Sequence, residues 1–227
     1  MNDLCGSTGT ETVIFTLTDE CGNDIEMDAT FTIEDTTDPT WTTPPSDMTV
    51  ECDGTADPSG AFAAWLTSFS GTDVCGTATV THNSTGLSDL CGATGTETVT
   101  FTLTDECGLD IEMDATFTIE DTNPPTGIQP TATTGVNACL TDAQTSVPSF
   151  NPTEVAMGYT DGCSTPLVTL TNTATSGDDC SWDVTYTYNV SDDCGNILGS
   201  QIQVHSGGDT DAPTGTCPIG DLSLIHI

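Results

Sequence analysis

Apolar residues and threonines alternate along much of the chain, which is the pattern of half-buried β-strands. In the segment 97–104, Val99, Phe101 and Leu103 alternate with four threonines, and the segment 111–120 repeats this alternation in its second half. The residues between the two segments, Asp105–Asp110, have the polar, Gly-containing composition of a tight connection. The two segments are therefore predicted to form a β-hairpin.

Other segments complete the predicted elements. Strands are predicted at 48–50 and 77–83, and Val184–Val190 repeats the alternation near the C-terminus. In Ser59–Phe69 apolar residues fall at i, i+1, i+4 and i+7, which predicts a short helical crossover. Short alternating strands at this spacing predict an all-β fold made of β-sandwiches with immunoglobulin-like architecture.

An internal duplication organises the chain. Asp3–Thr40 recurs at Asp89–Thr126 with an offset of 86 residues and five differences in 38 positions, and a diverged third copy ends near Thr214. The chain is therefore predicted to be a tandem array, cut inside one repeat at its N-terminus. The final six residues, Leu222–Ile227, break the acidic composition and are predicted to be non-native. The predicted repeats are A (1–37, the second half of a truncated repeat), B (38–123), C (124–211) and D (212–227, the start of another).

Composition narrows the functions further. The chain has no Lys or Arg and 35 Asp and Glu, which gives a formal net charge of −35. This charge excludes binding to nucleic-acid phosphates and to anionic membranes, and it removes lysine and arginine chemistry from the candidate mechanisms. Eleven cysteines indicate an oxidising, extracellular location. No catalytic motif is present, and His82, His205 and His226 form no metal-binding spacing, so an enzyme is not predicted.

Several motifs carry a resemblance to a known family. Asp-x-Cys-Gly turns begin at Asp73, Asp105 and Asp192-Asp193, and an Asp-Thr-x-x-Pro-Thr linker occurs at 35–40 and 121–126. In this order the motifs resemble the hyalin-repeat (HYR)-like, Ig-like domains that large secreted bacterial surface proteins carry in tandem. The resemblance covers all but the last few residues. It implies an extracellular structural or adhesive array and no reaction.

Strand directions suggest how the cysteines pair. Four cysteines recur in each complete repeat, and four cysteines allow three connectivities. If cysteines at the same end of a sandwich pair, each bond closes within one repeat, and the partners of Cys5 and Cys21 lie in the missing half of repeat A. Cys217 is left over. The predicted disulfides are Cys52–Cys91, Cys75–Cys107, Cys139–Cys180 and Cys163–Cys194.

Clustered carboxylates at the joints between repeats suggest bound Ca²⁺, since this ion takes six to eight oxygen ligands. The alternative is a solvated acidic surface with turn-forming aspartates. At the first joint the candidate ligands are Glu34, Asp35, Asp38, Asp73, Asp105, Glu106 and Asp110. At the second joint they are Glu120, Asp121, Asp161, Asp192, Asp193 and Asn196.

The threonine-rich surface suggests covalent glycans, although strand propensity alone also explains the threonines. Asp35-Thr36-Thr37 resembles an O-glycosylation motif, which makes Thr36 and Thr37 candidate sites. Asn83 and Asn189 each begin an N-glycosylation sequon.

Together these patterns predict a segment of an extracellular fibre, surface appendage or adhesin stalk built from disulfide-stapled Ig-like domains. Its expected partners are neighbouring repeats or copies in a fibre and attached glycans, with no nucleic acid and no membrane insertion. One alternative is a carbohydrate- or ligand-binding adhesin module with a recognition surface around Trp65 or Trp182. Another is the accessory region of an enzyme whose catalytic domain lies elsewhere.

Overall fold

The computed structural model describes residues 2–212, and only the backbone of Asp3. Contacts divide these residues into two compact units. Unit 1 contains the described residues up to Thr122 together with Gly162–Ser164, and unit 2 contains Asn123–Asp161 and the described residues from Thr165 onward. Repeats A and B both lie in unit 1, so their separation into two domains stays a prediction. The predictions for Cys217, His226 and Leu222–Ile227 lie outside the described residues.

Unit 1 consists of strands and one short helix, as the alternating pattern predicts. The elements of unit 1 are β1 (Asn2–Asp3), β2 (Gly9–Thr18), β3 (Asp24–Ile33), β4 (Thr40–Thr43), β5 (Met48–Glu51), a 3₁₀ turn (Pro58–Gly60), α1 (Ala61–Leu66), β6 (Ser70–Thr72), β7 (Ala78–His82), β8 (Gly95–Asp105) and β9 (Asp110–Glu120).

The complete sheet of unit 1 has the strand order β5-β9-β8-β7, in which β8 and β9 form the predicted antiparallel hairpin. Every second residue of β8 points into the core, so Val99, Phe101 and Leu103 are fully buried while the threonines between them are not. The short helix α1 and the pair β4–β6 belong to the layer that covers this face. Trp65 of α1 packs on Phe101 and donates its indole N–H to the Ser46 carbonyl at 2.9 Å.

The helix α1 begins where Asp57 satisfies backbone donors of its first turn. The Asp57 carboxylate accepts hydrogen bonds from the Phe62 N–H at 2.7 Å and from the Ala63 N–H at 3.2 Å. This short helix lies inside the predicted Ser59–Phe69 crossover, which confirms the prediction.

The hairpin of repeat A has the same fold as its duplicate but lacks its cover. Val13 pairs with Ala29 in β2–β3 as Val99 pairs with Ala115 in β8–β9. Phe15 is 60% exposed, whereas its equivalent Phe101 is 0% exposed. The difference arises because repeat A, as present here, has no counterpart of the segment 40–82 that buries the apolar face in repeat B.

Unit 2 has a central sheet in the order β12-β13-β14, with two antiparallel pairings. Trp182 lies in β13, is buried and donates its indole N–H to the Ala138 carbonyl at 2.7 Å. The helix α3 starts with a proline, preceded by Asn151 as cap. The elements of unit 2 are β10 (Thr126–Gly127), a 3₁₀ turn (Leu140–Asp142), α2 (Ala143–Ser146), α3 (Pro152–Ala156), β11 (Tyr159–Thr160), β12 (Leu167–Asp178), β13 (Ser181–Ser191) and β14 (Ile197–Gly207).

The structure confirms the predicted all-β, sandwich-like fold. Strands were expected at 48–50, 77–83, 97–104 and 111–120, and each lies within or close to an observed strand. Among the described residues, no helix is long and apolar enough to cross a membrane.

Candidate metal site and disulfide bonds

Asp105 anchors the turn between β8 and β9. Its Oδ1 accepts hydrogen bonds from the Cys107 N–H at 2.8 Å and the Leu109 N–H at 2.9 Å, which explains why an aspartate begins this turn. Asp105 is only 7% exposed, and its Oδ2 is buried without a hydrogen-bond donor among the described residues. A buried carboxylate oxygen that accepts no hydrogen bond is costly unless a cation or proton neutralises it.

The same turn recurs in the other two copies. Asp192 is 5% exposed, its Oδ1 accepts from the Asn196 N–H at 2.8 Å, and its Oδ2 is likewise buried without a donor among the described residues. Asp19, by contrast, is exposed and its Oδ2 accepts from Asn23 Nδ2 at 2.8 Å. The hydrogen bonds from Asn23 lower the pKa of Asp19. The unsatisfied oxygen is therefore a property of the turns that the structure buries.

Two further carboxylates lie together beside Cys75, whose thiol also experiences the charge of Asp105. One ligand atom each of Asp35, Asp73 and Cys75 lies within 4.8 Å of the others. Asp35 Oδ1 accepts from the Thr37 N–H, and Asp73 Oδ2 accepts from the Cys75 N–H. Their other oxygens, Asp35 Oδ2 and Asp73 Oδ1, are buried and have no donor among the described residues. We call Asp35, Asp73 and Asp105 the acidic cluster.

The acidic cluster has the donor chemistry of a hard cation site. Burial and the negative charges of Asp35, Asp73 and Asp105 raise the pKa of the Cys75 thiol, which therefore stays protonated at neutral pH. A protonated thiol is a poor metal ligand, so the carboxylate oxygens are the available donors. Oxygen donors of this kind favour Ca²⁺ over the softer transition metals.

The structure leaves several predicted ligands outside the acidic cluster. Glu106 is exposed, and its Oε1 accepts from the Thr77 N–H and hydroxyl, which lower its pKa. Glu34, Asp38 and Asp110 are exposed.

Predicted ligands of the second joint are described within the unit that holds each. In unit 2, carboxylate oxygens of Asp161 and Asp192 lie within 4.8 Å of each other, while Asp193 is exposed. In unit 1, Glu120 is exposed and Asp121 is half-buried.

The structure corrects the predicted disulfide pairing. Cys107 is bonded to Cys5, not to Cys75, and Cys52 is bonded to Cys163, not to Cys91. Since Cys163 is bonded to Cys52, the predicted Cys163–Cys194 bond is also wrong, although Cys91 and Cys194 are both disulfide-bonded. Among residues 2–212 the free cysteines are Cys21, Cys75, Cys139 and Cys180, so the predicted Cys139–Cys180 bond is absent.

The pairing prediction failed because it considered each repeat alone. At a joint, cysteines from two successive repeats come close together, as Cys5 and Cys107 do. Strand direction therefore does not distinguish bonds within a repeat from bonds between repeats. Cys5 belongs to repeat A and Cys107 to the β8–β9 turn of repeat B. A second group of potential ligands, Glu51, Cys52, Asp121 and Cys163, offers no thiolate because its two sulfurs form a disulfide.

The candidate glycosylation sites differ in accessibility. Thr36 and Thr37 are exposed in the linker after β3. Asn83 is exposed, and its Oδ1 accepts from the Thr100 N–H at 2.9 Å. Asn189 is half-buried on the central strand β13, opposite Thr169 of β12 and Ser200 of β14.

Both candidate tryptophans and His205 are buried, whereas His82 is exposed. Trp65 and Trp182 are 4% and 1% exposed, so neither indole ring is itself available to a ligand at the surface. His82 is exposed and lies against the Phe101 ring, with its Nδ1 accepting from the Ser84 N–H. His205 is buried, and its Nδ1 accepts from the Thr133 N–H at 2.9 Å.

Sequence reasoning named Asp105 only as one of seven candidates at the first joint. The recurrence of aspartate at positions 19, 105 and 192 was the available signal, but only burial distinguishes the second and third from the first. A comparison with protein-family models finds no matching family, and a comparison with curated proteins finds no significant match.

Proposed function

We propose that the chain is a segment of an extracellular fibre, surface appendage or adhesin stalk in which disulfides link successive repeats covalently, so that the disulfides carry mechanical tension along the array. One observation carries the proposal: the bonds Cys5–Cys107 and Cys52–Cys163 each join a cysteine of one sequence repeat to a cysteine of the next. Bonds of this kind carry tension along the array in parallel with the backbone. Bonds within a repeat would leave each linker as the only covalent connection.

The two disulfides limit how far the chain can extend under load. From Cys5 to Cys163 the backbone spans 158 residues, whereas the shortest covalent path, from Cys5 to Cys52 and then across the Cys52–Cys163 bond, retains only 47 residues. The difference of 111 residues corresponds to about 380 Å of extended chain. A stalk with these bonds therefore stays short even if its domains unfold.

Single-molecule pulling on the chain by its two ends tests the proposal. We expect the fully extended length to increase by at least about 380 Å when the disulfides are reduced. A double variant, Cys5→Ser with Cys52→Ser, should extend further than the parent protein under oxidising conditions. If oxidised and reduced chains reach the same length, the disulfides carry no load and the mechanical role is refuted.

A bound Ca²⁺ at the acidic cluster would stabilise the same region. The support is the set of three buried carboxylate oxygens that accept no hydrogen bond among the described residues, on Asp35, Asp73 and Asp105. Without any Lys or Arg in the chain, no basic side chain neutralises these charges. Neutralisation by a divalent cation removes the repulsion and the desolvation cost together.

Thermal unfolding with and without Ca²⁺ tests the metal site, with the duplicated turn as its matched control. Removal of Ca²⁺ by a chelator should lower the Tm of the parent protein. The substitution Asp105→Asn should abolish most of this dependence, whereas Asp19→Asn, at the exposed equivalent, should leave it intact. Equal loss of the Ca²⁺ response in both variants would indicate diffuse binding to the acidic surface.

A further inference from the structure

The four cysteines that are free in the described part of the chain have defined places in the repeat pattern. We propose that Cys21 and Cys75 form disulfides with a preceding repeat of the array, and that Cys139 and Cys180 do so with a following repeat. The inference rests on the proposed array of linked repeats and identifies its linking sites.

Each cysteine can be classified by its order within its repeat. In these terms Cys5–Cys107 joins the third cysteine of repeat A to the fourth of repeat B, and Cys52–Cys163 joins the first of repeat B to the second of repeat C. The first cysteines are Cys52 and Cys139, the second are Cys75 and Cys163, the third are Cys5, Cys91 and Cys180, and the fourth are Cys21, Cys107 and Cys194.

These bonds define one rule: a first cysteine bonds the second of the next repeat, and a third bonds the fourth of the next. Under this rule Cys75 requires the first cysteine of repeat A, which residues 1–37 do not include, and Cys21 requires a third cysteine from a repeat before A. Cys139 and Cys180 require a repeat after C that has second and fourth cysteines. All four are free.

The rule also accounts for the other described cysteines. Cys91 and Cys194 have the partner class that they need within the chain, and both are disulfide-bonded. The rule therefore assigns the correct state to all ten cysteines among residues 2–212.

Backbone contacts at the joints repeat in the same way as the disulfides. After the third cysteine of repeat A, the Ser7 N–H donates to the Cys75 carbonyl, and after that of repeat B, the Ala93 N–H donates to the Cys163 carbonyl. In both cases the acceptor belongs to the second cysteine of the following repeat. The joint is thus a recurring structure that brings the same residues together.

Glycines at both joints allow this close approach. Gly6 and Gly92 have φ of +51° and +57°, a conformation that favours glycine. An added Cβ would lie 2.3 Å from the Cys75 carbonyl oxygen at Gly6 and 2.7 Å from the Cys163 carbonyl oxygen at Gly92. A third joint of the same kind, after repeat C, would bring Cys139 near the second cysteine of the next repeat and Cys180 near its fourth cysteine.

Each new bond is an ordinary oxidation of two thiols. The thiols of a free cysteine and of its partner lose two protons and two electrons, and one Sγ–Sγ bond forms. The electrons reduce a disulfide-containing oxidant, such as a thiol oxidoreductase or oxidised glutathione, to two thiols.

A lengthened chain tests the inference. A second copy of residues 38–88 is fused directly in front of Asp3, which reproduces the natural junction Ser88–Asp89 and completes repeat A. The protein is oxidised with oxidised glutathione, remaining thiols are alkylated, and peptides from cleavage at Asp and Glu are mapped by mass spectrometry. We expect Cys75 to be bonded to the added copy of Cys52, with no increase in alkylated thiols despite the two added cysteines.

Two results would overturn the inference: alkylation of Cys75 in the lengthened chain, or a bond between the added copies of Cys52 and Cys75. As a control, Cys52→Ser in the added copy should return Cys75 to the alkylated state. A second fusion, with a copy of 124–211 after residue 211, keeps the inference testable if the first does not fold. There Cys139 should bond the added copy of Cys163, and Cys180 the added copy of Cys194.

The outcome is separable from that of the mechanical role. Correct pairing in the lengthened chain, combined with equal extension of oxidised and reduced protein under load, would refute the proposed function and leave the linking rule standing.

Discussion

Phe15 and Phe101 occupy the same position in the duplicated hairpin, but only Phe101 is covered by the segment 40–82. Truncating each residue to alanine therefore measures how much this covering segment contributes to the free energy of unfolding. Both follow a threonine or isoleucine and precede Thr-Leu-Thr-Asp-Glu-Cys-Gly. Their local strand propensities are therefore nearly equal, and any difference in cost reflects tertiary packing.

The structure sets the expected magnitudes. The Phe101 ring is fully buried, and its centroid lies 4.7 Å from that of Phe69 and 5.2 Å from that of Trp65. Truncation of such a core ring costs about 3–5 kcal/mol of unfolding free energy. Phe15 is 60% exposed, so its truncation should cost less than about 1 kcal/mol.

Urea denaturation followed by tryptophan fluorescence measures both changes, because Trp65 lies against Phe101 in the core of repeat B. We expect a large decrease in the midpoint for Phe101→Ala and almost none for Phe15→Ala. In the chain lengthened by a copy of residues 38–88, the cost of Phe15→Ala should rise towards that of Phe101→Ala. Equal costs in the unmodified chain would refute the reasoning that repeat A lacks its cover.

Three further predictions concern single side chains. Burial lowers the pKa of His205 below its ordinary value of 6.5, so the unfolded state binds more protons than the folded state when the pH falls below 6.5. The parent protein should therefore exceed the variant His205→Gln in unfolding free energy by a constant amount above about pH 6.5, and by less below it. That amount includes the hydrogen bond from the Thr133 N–H. Burial acts to raise the pKa of Glu97, but hydrogen bonds from residues 84–86, including the Thr85 N–H, outweigh it and lower the pKa. The substitution Glu97→Gln should therefore lower the free energy of unfolding by about 1–3 kcal/mol at pH 7, as measured by urea denaturation. This loss should disappear as the pH falls below about 4.5, because Glu97 is then protonated in the parent protein as well. Since burial and nearby carboxylates raise the pKa of Cys75, its alkylation at pH 8 should be slower than that of free glutathione, and a rate equal to that of glutathione would contradict the acidic surroundings.

Much of the fold could be predicted from the alternating pattern. The hairpin β8–β9, its turn at Asp105 and the crossover helix α1 all follow from local periodicity and turn chemistry. The acidic cluster was predicted only as a larger group of carboxylates, because exposed and buried aspartates look alike in sequence. Burial separates Asp105 from Glu34 and Asp38, and that depends on the layers packed around each residue.

The sequence by itself determined which residues form strands, which face of each strand is apolar and which segments are copies of one another. These properties are local, since they depend on a period of two residues and on turn-forming side chains. Only the tertiary structure decided the disulfide partners and the burial of each copy. Cys107 and Cys21 have nearly identical neighbours in sequence, yet one is bonded to Cys5 and the other is free. The physical reason is that pairing and burial require a second segment of chain at the right distance, and identical sequences meet different segments in different places.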